Sequence, residues 1–102
     1  MTGIKATGER KLMLFSGRGH RELAEDVAGR LGTGVTPAEL KDFANGEIYA
    51  RYEESVRGCD AFVLQAHTAP INHRIMEQLI MVDALKRASA ERITVVAPFF
   101  GY

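Results

Sequence analysis

Apolar and polar positions along this chain follow two different periods. Leu12-Met13-Leu14-Phe15-Ser16 is a short apolar run closed by Gly17, which predicts a strand. From His20 to Leu31 the apolar positions Leu23, Val27 and Leu31 stand four apart, with Ala24 and Ala28 beside them. That spacing predicts an amphipathic helix, ended by Gly32. Val35-Thr36 is a candidate short strand, and Pro37 leads into an extended run from Leu40 to Phe43. A second extended run, Glu47 to Tyr52, follows Asn45-Gly46, a dipeptide that signals a hairpin because both residues accept positive φ. Asp60 to Ala66 holds Ala61-Phe62-Val63-Leu64, apolar on both faces as a central strand is. Ile71 to Ala88 reads as a long helix and Arg92 to Pro98 as a final buried strand.

This order predicts an α/β fold: an open, mostly parallel sheet flanked by helices on both faces, with a β-hairpin around Asn45-Gly46. The long helix departs from ordinary surface patterning. Met76, Leu79, Ile80, Met81, Val82, Ala84 and Leu85 occupy nearly its whole circumference. One side is expected to meet the sheet and the other a second domain or subunit, which points to a homo-oligomer. A broad core-facing stripe with some exposed methionine is the plainer alternative. A charge placed at Met81 separates oligomers in the first case and unfolds the domain if Met81 faces the sheet.

At 102 residues the chain has room for one domain, set here at residues 11–102 behind a flexible tail 1–10. Its 13 basic and 13 acidic residues cancel, so no field draws it to nucleic acid or to an anionic membrane. No apolar run approaches the roughly 20 residues of a membrane span, and Met1 to Lys11 lacks a signal-peptide core, so the expected location is cytoplasmic. Cys59 has no partner for a disulfide and reads as a half-buried thiol at a strand start.

Ser16-Gly17-Arg18-Gly19-His20 joins a strand to a helix, where backbone N–H groups can hold an anion. The third glycine of a dinucleotide fingerprint is Glu22 here, and no Gly-Lys-Ser/Thr follows, so a plain tight turn is the better reading. His20, His67 and His73 are scattered and read as surface or loop histidines, with no metal site and no catalytic triad. Arg51 to Arg57 mixes acids and bases as a solvated loop does, although Ser55 and Arg57, two residues apart, can jointly bind a phosphate. In extended backbone Phe43, Asn45 and Glu47 project together and suit a purine, offering a ring to stack on and acceptors for an exocyclic amine. By itself the trio reads by default as a polar hairpin tip.

Three segments carry a more specific message. Phe43-Ala44-Asn45-Gly46-Glu47, then Glu54-Ser55-Val56-Arg57-Gly58, then the run from Met76 to Ala90 resemble, in order and in register, the signatures of ribose-phosphate pyrophosphokinases. The resemblance extends from Leu12 to Tyr102 and implies a phosphoribosyltransferase-like domain, the first of two in each subunit. It implies an enzyme of nucleotide biosynthesis that uses Mg²⁺ and transfers the diphosphoryl group of ATP to ribose 5-phosphate, releasing AMP. It also implies dimers that build into hexamers, with Phe43, Asn45 and Glu47 holding the adenine of ATP in a neighbouring subunit. Ser55, Arg57 and Ser89 would form a regulatory site for phosphate or ADP. The chain stops at Tyr102, just before the family's Ala-Arg-Gln-Asp motif; the metal ligands and ribose-phosphate loop are expected beyond it, no catalytic residue is assigned within it, and the segment alone is expected to be inactive. The alternatives are a non-catalytic nucleotide-binding or regulatory subunit of such an enzyme and, from fold alone, an unrelated flavodoxin-like binding module.

Overall fold

A computed structural model describes residues 11–102; the expected tail at 1–10 lies outside the described residues. The elements are β1 (Leu12–Ser16), α1 (Arg21–Leu31), β2 (Ala38–Asp42), β3 (Ile48–Tyr52), β4 (Asp60–Leu64), α2 (Ile71–Arg87) and β5 (Arg92–Val96). β1, β4 and β5 form a parallel sheet in the order β1-β4-β5, while β2 and β3 pair antiparallel as a separate two-stranded sheet. The candidate strand at Val35-Thr36 contributes one parallel bridge, Val35 to Leu14, at the free edge of β1.

Alternation along the strands divides the core between the two faces of the sheet. Met13 and Phe15 of β1 and Ala61 and Val63 of β4 meet Met81 and Leu85 of α2, with Leu40, Ala50 and Tyr52 of the hairpin packed against them. Leu14 and Leu64 meet Ala24 and Ala28 of α1 on the opposite face. The hairpin is pinned over the α2 face by a Phe15–Tyr52 edge-on ring contact, centroids 4.8 Å apart, and by the Tyr52 hydroxyl donating to the Met81 carbonyl at 2.7 Å.

α1 starts where the His20 Nδ1 accepts from the Leu23 N–H and ends at Gly32, whose φ of 73° lets its N–H and that of Thr33 satisfy the last carbonyls. α2 is apolar around most of its circumference, but its core face is partly polar: Glu77 and Gln78 are buried beside Met81 and Leu85, while Met76 and Leu79 are exposed. Met81 therefore faces the sheet, and Met76 and Leu79 are the outward apolar side chains. β5 is an edge strand rather than a buried one, with Arg92 and Val95 exposed. Cys59 is fully rather than half buried, and burial pushes its thiol pKa up. His67 is likewise buried, not a surface histidine. Its Nδ1 accepts from the Gly101 N–H, so Nε2 carries the proton toward Gln78 Oε1 at 2.7 Å.

Candidate functional site

The hairpin turns through residues 43–47. The Gly46 N–H donates to the Phe43 carbonyl and the Phe43 N–H to the Glu47 carbonyl, so the tip is a tight turn followed by a glycine bulge. Only Gly46 uses positive φ, at 94°; Asn45 does not. The expected extended backbone is thus absent from the tip, and side chains there do not alternate. The turn brings Asn45 and Glu47 together by another route: Asn45 Nδ2 donates to Glu47 Oε1 and Asn45 Oδ1 accepts from the Glu47 N–H, both at 3.0 Å. Phe43 is half exposed and packs edge-on against Tyr49 at 5.8 Å, with the Lys41 ammonium 5.0 Å from the Tyr49 ring centre. The tip thus presents an aromatic ring and a carboxylate with one oxygen already oriented by an amide.

Ser55 and Arg57 lie in an exposed loop where Ser55 Oγ accepts from the Arg57 N–H at 3.4 Å. The Gly58 N–H donates to the Ser89 carbonyl at 2.8 Å, which joins this loop to the turn after α2, where Ser89 has a φ of 69°. The three residues thus lie on two adjoining turns although 34 positions separate Ser55 from Ser89.

A polar network unforeseen in the sequence underlies the hairpin. Glu77, with no exposed surface, accepts from the Arg18 N–H at 2.9 Å, from Arg18 Nε, and from Gln65 Nε2 at 2.6 Å. Gln65 Oε1 in turn accepts from the Gly19 N–H at 2.8 Å. A Cβ at Gly17 would lie 2.3 Å from the Gln65 side chain and one at Gly19 2.6 Å from the Ala66 carbonyl, so these glycines serve close approach. Arg18 Nη2 reaches on to Asp42 Oδ1 at 2.8 Å, where His73 Nε2 also arrives at 3.0 Å. Burial works against the Arg18 charge, but bonds to Asp42 and Glu77 outweigh it and raise its pKa. Hydrogen bonds from Arg18 and then His73 hold the Asp42 carboxyl below its ordinary value. A carboxylate on the core side of an apolar helix demands such partners, which was the available signal for Glu77. Among the described residues no cluster of three His, Cys, Asp or Glu side chains could hold a metal ion.

The family described as the N-terminal domain of ribose phosphate pyrophosphokinase matches residues 12–102. A ribose-phosphate pyrophosphokinase of Streptomyces avermitilis is 70% identical over the whole chain, which covers 32% of that protein, and one of Corynebacterium glutamicum is 61% identical, with 31% covered. The crystal structure of phosphoribosylpyrophosphate synthetase from Mycobacterium smegmatis superposes with a TM-score of 0.89 at 62% identity, over 92% of this chain and 31% of that one. The chain spans about a third of the length of these relatives. With sequence, register and fold in agreement across residues 12–102, the chain belongs to the family of the N-terminal domain of ribose phosphate pyrophosphokinase.

Proposed function

We propose that this chain works as part of a cytoplasmic, homo-oligomeric enzyme of nucleotide biosynthesis that transfers the diphosphoryl group of ATP to ribose 5-phosphate. In this reading its hairpin holds adenine at a neighbouring subunit's active site. The observation that carries it is the tip itself: Phe43 stands half exposed beside a Glu47 carboxylate that Asn45 orients. Phe43 stacks on the base, and the remaining Glu47 lone pairs accept from the adenine amine, which guanine does not offer at that position. The exposed Met76 and Leu79 on α2 supply apolar surface for the assembly. Mg²⁺ and its ligands are taken to come from outside the described residues. Ser55, Arg57 and Ser89 form the proposed regulatory phosphate or ADP site, supported by the bond that joins their two turns.

The test joins this chain to the remainder of the Streptomyces avermitilis relative. Phe43→Ala is expected to raise the apparent ATP constant roughly ten- to a hundredfold, the counterpart of about 1–3 kcal/mol of lost stacking. Glu47→Gln is expected to blunt discrimination between ATP and GTP. Mixing Phe43→Ala chains with chains disabled at the metal site should restore part of the activity. Unchanged ATP kinetics in an intact Phe43→Ala assembly would leave the hairpin a structural element only.

A further inference from the structure

We propose that Arg18, Asp42 and His73 form a clamp that fixes the hairpin tip 43–47 and thereby sets how tightly adenine is held. The inference rests on the reading of the hairpin given above and assigns the three residues positioning roles, not contact with the nucleotide.

Asp42 is the last residue of β2 and immediately precedes Phe43. Residues 43–47 are exposed, and Asp42 is where hydrogen bonds from the body of the domain reach the outer end of the hairpin. One oxygen, Oδ1, receives both Arg18 Nη2 and His73 Nε2. The two donors come from different elements, the β1–α1 turn and the first turn of α2. Arg18 is not a freely moving surface side chain. Its Nε and its backbone N–H are both held by Glu77, which Gln65 braces from β4's end, so the guanidinium is oriented before it meets Asp42. Exposed ion pairs contribute little when both side chains must be ordered to form them. Here one is already ordered, and the pair restricts direction rather than adding much to folding stability.

The continuity is short and specific: sheet end, Gln65, Glu77, Arg18, Asp42, Phe43. Lysine cannot replace Arg18, because one ammonium cannot span Glu77 and Asp42 as the planar fork does. His73 adds a second direction of restraint, and its Nδ1 is buried without a hydrogen-bond partner. That leaves Nε2 to donate its proton to Asp42.

The experiment uses the full-length chimera. Asp42→Ala is expected to raise the apparent ATP constant roughly three- to tenfold through lost preorganisation, with kcat and the ribose 5-phosphate constant within about twofold. Amide hydrogen exchange at Phe43 and Gly46 should speed up while β4 amides stay protected. Asp42→Asn, which keeps an acceptor oxygen, should recover part of the loss, and Arg18→Lys should reproduce it. An unchanged ATP constant, equal rises for both substrates, or faster exchange without a kinetic effect overturns the clamp. A Phe43→Ala arm separates the two claims: if it raises the ATP constant and Asp42→Ala does not, only the clamp falls, and if neither does, both fall. Should Asp42→Ala fail to fold, Arg18→Lys carries the same criteria.

Discussion

Met81 and Leu79 lie two residues apart on α2, and equal changes there are expected to have opposite consequences. Met81 has no exposed surface and sits among Met13, Phe15, Val63 and Leu85, with its carbonyl accepting from the Tyr52 hydroxyl. Met81→Ala removes buried atoms and leaves a cavity where sheet, helix and hairpin meet, a change that costs about 2–5 kcal/mol. In a chain this size about 3 kcal/mol lowers the thermal midpoint by roughly 12–24 °C. Met81→Lys is more damaging, since it also buries an ammonium without a partner. Leu79 is 56% exposed, so Leu79→Lys should change stability by less than about 0.5 kcal/mol while weakening self-association. Urea unfolding followed by circular dichroism measures the first effect and light scattering the second. A Met81→Ala variant within about 0.5 kcal/mol of the parent, or a Leu79→Lys variant as unstable as Met81→Lys, would refute the placement of the helix.

Gly19→Ala drives a Cβ to 2.6 Å from a backbone carbonyl that cannot move aside, and should cost about 1–3 kcal/mol in urea unfolding. Gly29→Ala, with open space in α1, should instead stabilise by about 0.5–1 kcal/mol; equal effects at both positions would contradict this. Burial, then the nearby Cys59, raises the Tyr52 phenol above its ordinary value of 10.0. Above about pH 10 the unfolded chain releases a proton that the folded chain retains, so stability is fully present below that pH and falls as pH rises beyond it. Tyr52→Phe should flatten that alkaline slope in urea midpoints measured against pH; an unaltered slope would assign it elsewhere.

The element order was legible because its signals are clear: unbroken short apolar runs at β1 and β4 and a fourfold apolar spacing in α1 each have one good solution. The ordered motifs by themselves also point to the family. The course of the tip was less legible. Asn45-Gly46 signals a turn, but whether both residues or only Gly46 takes positive φ depends on how β2 and β3 pair, and the observed register, Asp42 opposite Ile48, leaves five residues to turn. Apolar periodicity said where α2 is helical but left open which of its side chains are inside, and the burial of Met81, Glu77 and Gln78 was decided by packing.

The sequence by itself determined what is local: the strands, the helices, the hairpin and the residue types at its tip. Tertiary structure alone decided which polar groups meet. Glu77, Gln65, Arg18 and Asp42 are distant in sequence, and nothing in their spacing pairs them. They converge because parallel strands β1 and β4 end together, with α2 crossing the same sheet end. A buried carboxylate is tolerable only where donors happen to converge, and such convergence is a property of packing, not of pattern.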